Sequence, residues 1–293
     1  MSAVALQRVV VRMMYDPAFR KRVYDNPERV LRDVPLTPQE RQWLVKPTPS
    51  AYGADVHRRS RALTGLLEEF PVASALAMRL PHGLQRLQQF FATHAFHDCV
   101  QSRGSMAAAF GSYLSSETFR SRNTPSEIAH LAVLEAGIAR VRRISPPPPC
   151  FDLNASITAE TPIGLASWVV LLTVHPDTLA RYYTLLESLQ ASGKSIVEAV
   201  LDTQYRLPRG PGFRGQAIAF VLASHIPGSD GPKLEGMYDE LGQLLSAAQT
   251  PVPWRQLVAL IEGMDCTPKE AEEVLDGVIA DRILCPLSFG VTS

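Results

Sequence analysis

The chain has 293 residues, 46% of them hydrophobic and 20% charged, with 29 basic and 29 acidic side chains. Its length allows two or three domains with buried cores, and a mean hydropathy near zero argues against extensive disorder. No apolar run approaches the roughly 18 residues of a membrane-spanning helix, and the N-terminus lacks the basic start and apolar block of an export signal. The four cysteines are scattered without a C-x-x-C pair, which suits a reducing compartment. We therefore expect a soluble, cytoplasmic protein.

The balanced total charge conceals two halves of opposite sign. Residues 1–145 carry 20 basic and 12 acidic side chains, a net charge of +8, whereas residues 146–293 carry 9 and 17, a net charge of −8. This asymmetry indicates separate domains with different partners, or two halves that attract each other. Two solvated faces without a binding role are the simpler alternative.

The first half is predicted to be helical. Apolar residues at helical spacing run from Leu6 to Met14 and form one stripe. Asp16-Pro17 and Asn26-Pro27 then each offer a capping side chain followed by proline at the first helical position. Residues 60–115 are rich in leucine, alanine, phenylalanine and glutamine and also favour helix. We therefore expect a series of short helices.

Three capping boxes of the form T-P-x-E begin at Thr37, Thr124 and Thr267. In such a box the threonine oxygen accepts from the backbone of the third helical residue, and the glutamate reaches back to the cap. Each box predicts the start of a helix, and the second helix should run to about Arg143. The four prolines at 146–149 favour an extended spacer, so we place the main domain boundary there.

Beyond the prolines the pattern changes to strands followed by helices. Residues 151–161 and 166–174 are predicted strands with a turn at 162–164 between them, because the second run is β-branched and aromatic. Helices at 176–193 and 195–203 complete a winged-helix-like unit, and residues 227–232 form a linker. The C-terminal segment repeats the pattern, with predicted helices at 233–248, 253–262 and 268–281 and a strand at 283–287.

The predicted fold class is therefore mainly α with a small α+β part. We expect a helical domain over residues 1–145, a winged-helix-like domain over residues 150–225 and a C-terminal winged-helix-like unit over residues 233–293.

Two local patterns resemble ligand sites. His94 and His97 are neighbours on one helix face and could share a metal ion, but only Asp98 could serve as a third ligand, so packing against a neighbour or partner is the favoured interpretation. Residues 210–215 formally match G-x-G-x-x-G, but they follow a helix rather than a strand, so a loop is favoured over a dinucleotide site.

Two other classes of function stay open as alternatives. The sequence contains no P-loop, nucleophile elbow, H-E-x-x-H or EF-hand, which lowers the odds of a stand-alone enzyme without excluding one. A winged-helix regulator would place the helix after Thr267 in DNA, but acidic residues predominate on that helix and would repel phosphate.

Several short stretches of the chain together resemble the accessory subunits of multinuclear-iron, TIM-barrel-type peptide-modifying enzymes, such as those of 3-thiaglutamate and methanobactin biosynthesis. The similarity spans roughly residues 5–205, whereas residues 233–293 look more like winged-helix pieces of lanthipeptide dehydratases. The stretches that carry the first resemblance are residues 13–20, 26–31, 36–41, 66–71, 96–104 and 109–111.

The resemblance implies a non-catalytic subunit that holds no metal or other cofactor, with iron in the partner subunit. The helical domain would grip that partner, and the winged-helix-like domain would take the leader of a ribosomally made precursor peptide as an added strand. The peptide would then be presented for modification, by β-carbon excision at a C-terminal cysteine if the 3-thiaglutamate relatives are the better guide. Neither nucleic acid nor membrane is an expected partner.

The resemblance also implies site residues, although strand 166–174 could instead be buried on both faces in the protein's own core. The predicted peptide-binding residues are Trp168, Val169, Val170, Leu171, Leu172, Thr173, Tyr182 and Leu186. The predicted partner-binding residues are His94, Phe96, His97 and Arg103. No residue is predicted to be catalytic or to ligate a metal.

Overall fold

The structure is a computed structural model that describes residues 3–55, 57–116, 127–144, 157–210, 213, 217–225 and 231–286. These residues are mainly helical and form two small antiparallel sheets, which confirms the coarse fold class. It divides into two compact units. Within the described ranges, no helix combines the length and apolar character needed to cross a membrane.

The first unit contains residues 1–132 and 182–210, and the second contains residues 133–181 and 211–293. The segment 182–210 is tied into the first unit by Arg79, whose guanidinium donates to the backbone oxygen of Tyr205 at 3.0 Å. The segment 150–225 thus contributes to both units, while the division into three domains stays a prediction.

Eleven of the described helices lie wholly in the first unit, joined by a short 3-10 turn at Phe90–Ala92. They are α1 (Ala3–Tyr15), α2 (Pro17–Asp25), α3 (Pro27–Val30), α4 (Pro38–Val45), α5 (Pro49–Tyr52), α6 (Arg58–Glu69), α7 (Pro71–Met78), α8 (Gly83–Gln89), α9 (His94–Ser102), α10 (Met106–Leu114) and α13 (Ile196–Leu201).

Helix starts in the first unit follow the predicted capping chemistry. Asp16 accepts a hydrogen bond from the backbone of Phe19 at 2.9 Å, and Asn26 accepts one from Arg29 at 3.0 Å. Thr37 forms the complete capping box of α4, as predicted. The box at Thr124 lies outside the described residues.

Two apolar clusters hold the first unit together. One is a set of aromatic rings in edge and tilted contacts, centred on Phe90, whose ring centroid lies 5.1 Å from that of Phe110 and 5.5 Å from that of Phe96. The other packs α1 to α4 together through a cluster of buried residues that comprises Ala5, Val9, Met13, Phe19, Val23, Leu31, Leu36 and Leu44.

Helices α11 (Glu127–Val141) and α12 (Thr178–Gln190) each contribute residues to both units. The remaining described elements belong to the second unit. They are β1 (Pro162–Leu165), β2 (Val169–Val174), β3 (Ala219–Ser224), β4 (Lys233–Met237), α14 (Asp239–Ala247), β5 (Val252–Pro253), α15 (Trp254–Glu262), α16 (Pro268–Ala280) and β6 (Leu284–Pro286).

The second unit corrects three predictions about strands. Residues 162–164, predicted as a turn, belong to β1, which is central in the sheet β5-β1-β6 and buries Ile163 completely. Residues 233–237, predicted as the first turns of a helix, form β4 and pair with β3. Of the predicted strand 151–161, residues 157–161 form no strand, and residues 151–156 lie outside the described ranges.

Both faces of the sheet β2-β3-β4 are covered. On one face Phe220 and Leu222 join the core of α14, α15 and α16. On the other face α11 approaches so closely that a Cβ built at Gly137 would lie 2.5 Å from Leu172 Cδ1. The α16 helix begins at the predicted capping box of Thr267.

Candidate functional site

The β2 strand lies at an edge of its sheet, since β3 is the one strand paired with it in the described part of the chain. The backbone N–H of His225 donates to the oxygen of Trp168 at 3.2 Å, which continues the β2–β3 ladder by one pair. Hydrogen-bonded and non-hydrogen-bonded pairs alternate in an antiparallel ladder, so the backbone N–H and C=O groups of Val170 and Leu172 also point towards β3. The N–H and C=O groups of Leu171 and Thr173 therefore point away from the sheet, and we call these groups the outer edge of β2.

Side chains along β2 are buried in the second unit itself. Trp168 is 7% exposed, and its indole Nε1 donates to the backbone oxygen of Arg282 at 3.0 Å. Val169, Val170, Leu171 and Leu172 are also buried, whereas Thr173 is exposed. Both faces of β2 are thus largely buried in the protein's own core, which was the alternative to a peptide-binding strand. Its outer edge nevertheless keeps backbone groups that are unpaired among the described residues.

Tyr182 and Leu186 lie on α12 among residues of the first unit, whereas β2 belongs to the second. Tyr182 is 6% exposed and its ring stands edge-on to that of Tyr183. Leu186 is half-buried. The ring of Tyr182 is therefore buried, and its role in peptide binding stays a prediction.

A cavity of about 340 Å³ opens beside the N-terminal end of β2. Trp168 and Val169 line it on one side, and the ion pair of Lys233 with Glu235 lines it on another. Arg282 adds a further charged wall. Because β3 and β4 residues also line it, the cavity extends from β2 towards β4 and lies on the side of β2 away from its outer edge.

The predicted partner-binding residues fall into two groups on α9. His94 is exposed, and Arg103 caps the helix at an exposed position with a left-handed backbone. Phe96 is 1% exposed inside the aromatic cluster, and His97 is 6% exposed. Phe96 and His97 therefore lie inside the first unit rather than on an open surface, because their side of α9 packs on α1 and the aromatic rings.

Two of the cysteine thiols are buried. Burial raises the pKa of the Cys99 and Cys285 thiols, so both stay protonated and weakly nucleophilic near neutral pH. Across the described ranges, no three histidine, cysteine or carboxylate side chains converge in a way that could hold a metal ion.

The β3 strand, whose register with β2 defines the outer edge of β2, was not predicted from the sequence. Its signal is the apolar run of residues 219–223, which has the length of a buried strand. The G-x-G-x-x-G pattern at 210–215 lies almost entirely outside the described residues.

No known protein family matches the chain, and no curated protein matches it either.

Proposed function

We propose that the chain is a non-catalytic accessory subunit of a cytoplasmic, iron-dependent peptide-modifying complex. It captures a ribosomally made precursor peptide as an added strand at the outer edge of β2 and presents the peptide to the iron-bearing partner. The chemistry of the partner is β-carbon excision at a C-terminal cysteine, as the resemblance to the 3-thiaglutamate accessory subunit implies.

The observation that carries the proposal is the unpaired outer edge of β2. The backbone of an extended peptide would form hydrogen bonds with the N–H and C=O groups of Leu171 and Thr173. Each such hydrogen bond contributes about 0.5–1.5 kcal/mol to the free energy of binding. Because Thr173 is the one exposed side chain on β2, a guest strand could approach without displacing core residues.

A winged-helix-like body in the second unit is part of this proposal, and the order of its elements supports it. Helix α14 is followed by the short strand β5, the helix pair α15 and α16, and the strand β6, and β5 and β6 pair with opposite edges of β1. We propose that this winged-helix-like body supports the neighbouring sheet, and that the sheet takes the peptide.

The partner would dock on the helical first unit. Residues 1–145 carry the +8 net charge, and His94 and Arg103 are exposed on α9. Binding both guests on one chain would raise the effective concentration of the peptide at the iron centre without any catalytic group in this subunit. Co-expression with the iron enzyme should yield a stable complex, and the purified chain alone should not turn over the peptide.

Replacing Thr173 with proline should weaken peptide binding at least tenfold. Proline removes the outward N–H of Thr173, whereas the ladder bonds to β3 come from Val170 and Leu172 and stay intact. One lost hydrogen bond and the clash of the ring with the added strand account for roughly this factor. The measurement is a fluorescence anisotropy titration with the labelled product of a short reading frame beside the gene.

A matched control is Gly236→Pro at the opposite edge of the same sheet. By the same alternation, the β4 groups that face away from β3 are those of Leu234 and Gly236, and a Cβ at Gly236 meets open space. This variant should bind the peptide as the unmodified chain does. Equal binding by both variants and the unmodified chain would rule out strand addition at β2, and a selective loss in Gly236→Pro would move the site to β4.

A further inference from the structure

A pocket of about 500 Å³ opens in the first unit between α1, α9 and the segment that follows α3. Its walls are mostly apolar and include Val9, Phe19, Val30 and Val34. This volume lies in the range of pockets that enclose small organic molecules. The pocket is separate from the outer edge of β2, which belongs to the second unit.

His97 lines this pocket and is 94% buried, since 6% of its surface is exposed. Neither ring nitrogen has a hydrogen-bond partner among the described residues. A buried polar group without a hydrogen-bond partner costs free energy. An unsatisfied imidazole at a pocket wall therefore indicates that a ligand supplies the missing hydrogen bond.

Arg12 lines the same pocket, and its guanidinium also lacks a hydrogen bond at Nε within the described ranges. Its guanidinium lies over the ring of Phe19, 4.1 Å from the centroid. The nearest carboxylate oxygen, on Asp16, is 3.8 Å from Nε, which is too long for a hydrogen bond, and Nε has no partner in the described part of the chain. Arg8, by contrast, donates to Gln101. Arg12 and His97 both line this apolar pocket, but Arg12 Nε and the ring nitrogens of His97 have almost no accessible surface, so a ligand would bond to them only after the side chains rotate.

We propose that this pocket binds an organic monocarboxylate with an apolar body. The carboxylate accepts from the guanidinium of Arg12 and from an N–H of His97, and the apolar body lies against Val9, Phe19 and Val34.

The charges around the pocket favour a single negative charge over a polyanion. Besides Arg8 and Arg12, the lining includes the carboxylates of Asp33 and Asp98, both at exposed positions. These carboxylates offset the two arginines and would repel a phosphate ester more strongly than a monoacid. The apolar walls likewise select a ligand whose other end needs no hydrogen bonds.

The test compares 3-phenylpropionate with 3-phenylpropan-1-ol, which has the same apolar body without the charge. Calorimetric titration of the full chain should give at least tenfold tighter binding of the acid, because a hydrogen bond to a charged group contributes about that factor or more. The acid should also shift the imidazole NMR signals of His97 and leave those of the exposed His57 unchanged.

Arg12→Gln should weaken binding of the acid about tenfold and leave binding of the alcohol unchanged. Arg29→Gln is the matched control, because it removes a nearby exposed arginine that does not line the pocket. Val34→Trp should fill the pocket and abolish binding of both compounds, with helicity checked by circular dichroism. Equal affinity of acid and alcohol for the unmodified chain, or no binding of either, would overturn the proposal even if every variant failed to fold.

Discussion

Replacing Gly242 with alanine should lower the free energy of unfolding by about 2 kcal/mol. Gly242 is buried on α14, and a Cβ at this position would lie 2.7 Å from Cβ of Phe220 and closer still to the ring carbons Cγ and Cδ2. Phe220 cannot yield easily, because β3 is the central strand and the ring is 9% exposed in the core. Overpacking of this kind costs about 1–3 kcal/mol. Urea denaturation followed by circular dichroism measures the change.

Gly277→Ala is the control that separates the effect of the clash with Phe220 from the effect of the higher helix propensity of alanine. Gly277 is also in the interior of a helix of the second unit, but it is exposed, and a Cβ there meets nothing within 4 Å. This variant should gain up to about 1 kcal/mol, because alanine favours helix over glycine. If Gly242→Ala were as stable as Gly277→Ala, the close packing of α14 on β3 would be wrong.

Elements whose stabilising contacts are local could be predicted from the sequence. The caps at Asp16, Asn26, Thr37 and Thr267 depend on hydrogen bonds that span three residues, so the residue types alone specify them. The same holds for α1, whose apolar stripe is read directly from the spacing and packs through Val9 and Met13.

The wrong predictions concern strands whose partner strands lie far away in the sequence. Ile163 pairs opposite Pro286 on one side and Val252 on the other, so a segment with the turn-like sequence Pro162-Ile163-Gly164 becomes a strand through contacts with distant residues. Residues 233–237 are likewise fixed by pairing with β3. Local pattern could not indicate either pairing.

The candidate site was predictable only in part, for a related reason. The apolar composition of β2 indicated a strand, but which of its backbone groups face outward depends on the register with β3. For α9, helical spacing placed His94 and His97 near each other but could not indicate that α1 and the aromatic rings would bury His97 and leave His94 exposed.

Acid should destabilise the chain through His97. Burial is the largest cause that lowers the pKa of His97 to about 4, and the nearby charge of Arg12 and the imidazole of His94 lower it further, while Asp16 and Asp98 oppose them. The unfolded chain takes up a proton at this imidazole near its ordinary pKa of about 6.5, whereas the folded chain does not until near pH 4. Stability from this group is therefore complete above pH 6.5 and is lost as the pH falls towards 4.

The expected loss is about 2 kcal/mol between pH 7 and pH 5, because each unit of pKa difference is worth about 1.4 kcal/mol. His97→Gln cannot titrate, so its free energy of unfolding should change with pH by about 2 kcal/mol less over this interval, whatever its absolute stability. His57→Gln is the matched control, because it makes the same substitution at an exposed position outside the pocket. Urea denaturation at a series of pH values gives both curves. If His97→Gln kept the full pH dependence of the unmodified chain, the imidazole would have the same pKa in the folded and unfolded chain, and its burial in this fold would be wrong.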